Sequence, residues 1–174
     1  MVVMVIIGIF ISIAVLSVGV VRDDRAIRQQ ALRLSTLIEM ASDEAQMQGR
    51  EYGVELMRTG YRFVEFDPIL LQWAEIIGDD LLRPRSLGDD MEFELALEDR
   101  NVLLAEAPAD MTVPEDPTER DYSDDYQPHL MIMSSGEITP FDIRIIRDTD
   151  QRSVLVSLSP AGEMEMQSSD DETF

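Results

Sequence analysis

The sequence predicts an α+β protein: a long N-terminal helix, transmembrane in its first half, packed on an antiparallel β-sandwich-like domain. Three observations predict it. Residues 1–21, "MVVMVIIGIF ISIAVLSVGV V", carry no charge. From Arg22 to Gln48 there is neither proline nor glycine, and apolar residues recur at spacings of three and four. After Gly49 the period changes to two, and short strands with turn signals follow one another without a further helical pattern.

The opening segment rises roughly 32 Å as a helix, about one hydrocarbon thickness. Ser12 and Ser17 are its only polar side chains, and each hydroxyl can bond back to a carbonyl one turn earlier. A core helix is seldom apolar on every side for six turns. A cleaved secretory signal would have a shorter apolar core and a small-residue cleavage site. The segment therefore reads as membrane-inserted, with Val5, Ile6, Gly8, Phe10, Ile13, Leu16 and Gly19 as its candidate buried residues. Gly8 and Gly19 suit either close helix packing or a point where the helix loosens. Arg22-Asp23-Asp24-Arg25 cancels to zero, so flanking charge does not orient the segment.

Residues 22–48 continue the helix as an amphipathic stretch. Ile27, Ala31, Leu34, Leu37, Ile38, Ala41 and Ala45 form one apolar face, and Gly49 supplies the stop. The two halves make a rod of roughly 70 Å with one end apolar all round and the other half-buried.

Residues 49–166 read as the β domain. "EYGVELMRTGYRFVEFD" predicts a hairpin about Thr59-Gly60, with Gly60 available for positive φ. "QWAEI" and "LLRP" are weaker strands. "MEFELALE" alternates Met91, Phe93, Leu95 and Leu97 with Glu92, Glu94 and Glu98, as a strand with one wet face does. "HLMIMSSGEITPFDIRII" and "SVLVSLSP" complete the series. Within 105–128, the stretch Ala105 to Gln127 holds three prolines and eight carboxylates, which stop both helix and ladder. It reads as an acidic loop; a calcium site is the sharper alternative, although adjacent Asp124 and Asp125 converge poorly on one ion. The end, "GEMEMQSSDDETF", is acidic and expected to fray, with 167–174 as a tail outside the domain.

The chain has 14 basic and 35 acidic residues among 174, a net charge of −21. Such a surface repels phosphate backbones, so no nucleic-acid partner is expected. The absence of cysteine excludes disulfides, thiolate metal sites and cysteine nucleophiles. His129 is the only histidine, with Ser134 and Ser135 nearby, but no nucleophile elbow accompanies them. A phosphate-binding glycine loop and paired histidines are also missing. Trp73, Tyr61 and Phe63 suit core packing better than an aromatic surface. No catalytic residue, metal or cofactor is expected.

Three stretches together resemble a known family. "MVVMVIIGI" is similar to the hydrophobic start of type IV pilin-like proteins. "YGVELMRTGYRFVEFDP", followed by "WAEIIGDDLLRPRSL", looks like the first strands of the H-type minor pseudopilin of type II secretion, the GspH/FimT family. "SSGEITPFDIRI", Ser134 to Ile145, resembles that family's most distinctive motif: Ser134, Ser135, Gly136, Glu137, Thr139, Pro140 and Phe141 in a turn between two strands.

That resemblance implies a filament subunit rather than an enzyme. Its partners would be other pseudopilins, major and minor, held through bundled N-terminal helices in a short pseudopilus near whose tip H-type subunits sit. It further implies a single-pass inner-membrane protein with a periplasmic domain, processed and methylated by the prepilin peptidase. The family's cleavage region, approximately Gly-Phe-Thr-Leu-x-Glu, does not precede the matching part here, so Met1 is expected to be an internal methionine of a longer precursor. Two alternatives stand beside the leading one: a FimT-like minor type IV pilin in pilus assembly or DNA uptake, and a membrane-tethered periplasmic enzyme or chaperone.

Overall fold

The computed structural model describes the backbone of residues 2–88, 90–108, 111 and 126–169 and, within these, side chains from Arg25 onward. Helix α1 runs unbroken over Val2–Gln48. Among the described residues ten strands follow: β1 (Tyr52–Met57), β2 (Gly60–Asp67), β3 (Gln72–Glu75), β4 (Arg85–Ser86), β5 (Met91–Leu97), β6 (Arg100–Val102), β7 (Leu130–Ile132), β8 (Phe141–Arg147), β9 (Ser153–Leu158) and β10 (Met164–Ser168). They form two antiparallel sheets. The first has the order β3-β2-β1-β7 with β4 also on β2, and the second has the order β10-β9-β8-β5-β6.

The apolar face of α1 is what both sheets close upon. Ile27, Ala31, Leu34, Leu37, Ile38, Ala41 and Ala45 are buried, at the spacings that put them on one side of the helix. Each large aliphatic contributes about 1.5–3 kcal/mol by leaving water. The three alanines let the sheets approach the helix backbone closely. Gly49 ends the helix at φ 65°, in the left-handed conformation that favours glycine.

The sheets meet that face with alternating side chains. Tyr52, Val54 and Leu56 of β1 are buried opposite Tyr61 and Phe63 of β2. From the second sheet come Phe93, Leu95, Ile143, Ile145, Val154 and Val156. Tyr61 links the layers: its ring stands edge-on to Phe63 and to Phe93, centroids 6.0 Å apart in each case. At the β1–β2 turn Arg58 accepts a backbone hydrogen bond from Phe93, 2.7 Å, and its guanidinium pairs with Glu92 and Glu106. The tip of the first sheet is thereby clipped to the second.

The hairpin about Thr59 differs from its sequence reading in one respect. Gly60 is not at positive φ. It is small because a Cβ there would stand 2.8 Å from both the Arg85 carbonyl oxygen and the Met111 Cε. The turn after β3 differs too. Leu81–Pro84 is not a strand, because the Asp79 carboxylate accepts the N–H groups of Leu81 and Leu82 and folds the chain into a turn. The short strand there is β4. At the other end, Met164–Ser168 does not fray but pairs with β9 from Leu158 to Val154.

The outer side of the first sheet has a small core of its own. Met57, Val64 and Tyr126 are buried there. Arg62 pairs with Glu55 at 2.8 Å and lies 4.3 Å from the centre of the Tyr126 ring. Most of 105–128, including Asp124 and Asp125, lies outside the described residues, as do 170–174. Among the described residues no cluster of three carboxylates or histidines could hold a metal ion.

Two polar contacts anchor the strand ends. Arg147, 2% exposed, donates from Nε and Nη2 to the two carboxylate oxygens of Asp150, at 2.9 and 2.6 Å. Those hydrogen bonds hold the Asp150 carboxyl down at about 2, so this contribution is present above the ordinary carboxylate range and is lost as pH falls through about 2. His129 extends the pairing of β7 with β1: its N–H donates to the Val54 carbonyl, and its Nδ1 accepts the Leu56 N–H at 3.2 Å. Accepting requires a neutral imidazole. Burial pushes the His129 pKa below its ordinary 6.5, against the pull of Glu55.

The unfolded chain therefore takes the proton first. The contribution of neutral His129 is full above its ordinary pKa and is lost as pH falls toward the folded-state value. His129→Asn keeps an acceptor near the Nδ1 position without the titration. Thermal unfolding of the full chain in nonionic detergent, followed between about pH 7 and pH 5, should show the native protein losing more stability than this variant. Parallel curves would show that His129 does not sense acid.

Candidate functional site

The family-like motif forms the passage from one sheet to the other. β7 belongs to the first sheet and β8 to the second, and the chain between them turns on Ser134-Ser135-Gly136-Glu137. Within the turn the Gly136 N–H donates to the Met133 carbonyl at 2.9 Å and the Met133 N–H to the Glu137 carbonyl at 2.8 Å. The Ser135 Oγ accepts the Glu137 N–H at 3.4 Å. Gly136 has φ 89°, and a Cβ on it would lie 3.0 Å from the Gln46 side chain, in the last turn of α1. The motif is thus seated on the end of the helix.

Thr139, Pro140 and Phe141 carry the chain across. The Thr139 N–H donates to the Met131 carbonyl at 2.9 Å, while the Thr139 Oγ1 accepts the Met131 N–H at 3.0 Å. The side chain so replaces a ladder carbonyl at the point where the two strands part. Pro140 has no N–H to leave unpaired at the crossing. Phe141 then enters the core, 3% exposed, opposite Leu158 of β9.

The structure does not assemble a catalytic triad from His129 and the serines. His129 is turned to the Leu56 N–H, and Ser134 and Ser135 are exposed in their own turn. Trp73 stacks edge-on with Phe66, centroids 5.3 Å apart, on the outer side of the first sheet, and is separate from Tyr61 and Phe63 in the core. Val5, Ile6, Gly8, Phe10, Ile13, Leu16 and Gly19 lie along α1, with side chains outside those described. Among the described residues, whose side chains begin at Arg25, no helix is long and apolar enough to cross a membrane.

Sequence reasoning missed one exposed feature. Ile69, Leu70 and Leu71 form the β2–β3 turn with exposures of 89, 48 and 73%. Leu71 stands at φ 55°, and the Asp67 carboxylate holds the turn by accepting the Ile69 and Leu70 N–H groups. "DPILL" shows the Asp-Pro turn signal, but an aliphatic run between two strands reads as buried, so its exposure was not legible.

Gly136→Ala should cost about 1–3 kcal/mol, from backbone strain and the displaced Gln46 side chain. Adding Gln46→Ala should recover only the steric part, and a double-mutant cycle by urea unfolding separates the two. Phe141→Ala should cost about 3–5 kcal/mol. A neutral Gly136→Ala would mean that the turn does not depend on the left-handed position.

Comparison with known proteins agrees with this architecture. The family model described as "Type II transport protein GspH" matches residues 30–162. The chain is 34% identical over 145 residues to the type II secretion system protein H of Pseudomonas aeruginosa, covering 83% of this chain and 77% of that protein. It is 26% identical over 147 residues to the protein of the same name from Aeromonas hydrophila, covering 83% and 76%. In structure it is similar to the minor pseudopilin EpsH of Vibrio cholerae, with a TM-score of 0.60 at 17% identity over 82% of this chain and 97% of that one. The solution structure of Escherichia coli GspH gives a TM-score of 0.56 at 15% identity, over 86% and 92%. At such identities the likeness speaks for the fold, one helix on antiparallel sheets. The matched region 30–162 takes in most of the docked part of α1, strands β1 to β9 and the turn that joins the sheets, and the chain belongs to the GspH family of type II transport proteins.

Proposed function

We propose that this chain is a minor pseudopilin, a structural subunit of the type II secretion pseudopilus near its tip, supporting export of folded proteins across the outer membrane. The observation that carries the reading is the unbroken helix α1, Val2–Gln48, whose second half is buried against both sheets. Residues 1–21 are apolar on every side. Such a surface is stable in the inner membrane and equally stable against the helices of other pseudopilins, major and minor. Because the same helix continues into the domain core, placing its first half places the domain.

In this reading the domain faces the periplasm, and the prepilin peptidase is a partner if the full-length precursor has the leader. The motif Ser134 to Phe141 serves as the joint between sheets and helix, and no catalytic role is assigned to Ser134, Ser135, Glu137 or His129. The net charge of −21 weighs against the alternative of DNA uptake.

The test is complementation in the source bacterium. Deleting the gene should trap secreted hydrolases in the periplasm, and the native gene should restore their activity in the medium. Gly8→Asp should fail to restore it, because a charge in mid-membrane costs about 2.5–3.5 kcal/mol on insertion scales. Normal secretion without the gene would refute the proposal.

A further inference from the structure

The end of the second sheet that leaves the motif turn carries an open groove of about 860 Å³. Its floor is apolar, with Leu97, Pro140 and Pro160 half-buried or exposed. Five carboxylates line it, Glu98, Asp99, Asp142, Glu163 and Glu165, and among the described residues none that lines it is basic. Two of them are held at the lip by unusual backbone. The two-residue turn between β5 and β6 has Glu98 at φ 50° and Asp99 at φ 61°, a conformation that turns of this kind normally give to glycine, asparagine or aspartate, so Glu98 is the unusual residue.

The carboxylates are spread along the groove rather than gathered, and among the described residues no three could hold one metal ion. Distributed negative charge around an apolar floor fits an extended partner with several cations and an apolar side chain between them. A second copy of this chain fits poorly, since both copies would bring a net charge of −21.

We infer that this groove is a docking site for a basic segment of another protein, in which Lys or Arg residues flanking an apolar side chain meet the acidic lip while that side chain rests on Leu97, Pro140 and Pro160. This goes beyond the role of a pseudopilus subunit and does not rest on it, because binding of a peptide to the isolated chain requires no filament.

The probe is a fluorescent pentapeptide, Arg-Arg-Leu-Arg-Arg, titrated against the full chain in nonionic detergent and followed by anisotropy. Binding should weaken as salt is raised. Replacing the leucine of the peptide by serine should weaken it about threefold or more. The variant Glu98→Gln with Asp99→Asn should weaken it about fivefold or more, with its circular dichroism unchanged and its melting temperature not lowered, since asparagine tolerates the left-handed position. A control with the same charge change elsewhere, Glu39→Gln with Asp148→Asn, should have less than half that effect. Equal weakening by both variants would overturn the proposal in favour of a general attraction to an acidic protein. So would absence of binding. Sedimentation showing a dimer of the native chain that the groove variant abolishes would assign the groove to a second copy instead, against the proposal.

Discussion

The burial of Ile27, Ala31, Leu34, Ile38, Ala41 and Ala45 against both sheets is the contact from which the other features follow. Each sheet is five-stranded and antiparallel, and an antiparallel sheet with one apolar face needs a second layer to cover it. Here the two sheets share one cover. The first is narrow at its β7 edge, where only Leu130–Ile132 pairs with β1. The second presents Val154, Val156, Ile143 and Ile145. Removing the helix face would expose both cores together, so the domain has no layer that stands alone. This explains why the chain is stitched at two levels along β1: by the covalent crossing through Pro140 near its start, and by Arg58 to Phe93 just beyond its end.

The helix and the central strands were legible in the sequence because their periods are strong and their faces one-sided. Met91, Phe93 and Leu95, like Phe141, Ile143 and Ile145, alternate with polar residues and are buried as that alternation requires. The joint was legible only through resemblance. Nothing in "SSGEITPF" as a pattern states that β7 and β8 belong to different sheets, since a hairpin and a sheet crossing use the same turn chemistry. The misreadings have local causes. Gly60 was read for conformational freedom when it is required for space beside the Arg85 carbonyl. β10 was missed because "MEMQS" is acidic and only weakly alternating, and its pairing with β9 supplies what its own composition does not. The groove was not legible at all: Leu97, Pro140, Glu163 and the rest come from separate stretches of chain that only the fold brings together.

Charge in this protein is organised at a few points and left unpaired at others. Arg147 is buried and gripped by both oxygens of Asp150; Arg62 is pinned between Glu55 and the Tyr126 ring. Removing either acid would take a charge partner from a guanidinium in a partly dry site, which is the expensive change. With 14 basic residues against 35 acidic ones, most carboxylates have no cation to meet. The surface is therefore strongly negative wherever geometry does not place an arginine. The groove at the end of the second sheet is one place where that excess coincides with exposed apolar surface, whereas the Ile69–Leu71 turn is apolar beneath a single organising carboxylate.

One helix runs from the apolar segment into the core of the β domain because nothing interrupts it. Between Arg22 and Gln48 there is no glycine or proline, and kinks in long helices need such a residue, a bulge or an inserted group. The stop is placed where the domain begins: Gly49 turns left-handed, the Arg50 N–H returns to the Ala45 carbonyl at 3.1 Å, and β1 starts at Tyr52. Gly136 closes on Gln46 from the other side. The last turn of the helix is thus held by its own cap, by the strand that follows and by the joint between the sheets. A torque applied at the apolar end reaches the β domain through that clamp rather than through a flexible linker, which is the property a subunit needs if its first half is bundled with others and its second half must present a surface in a defined direction.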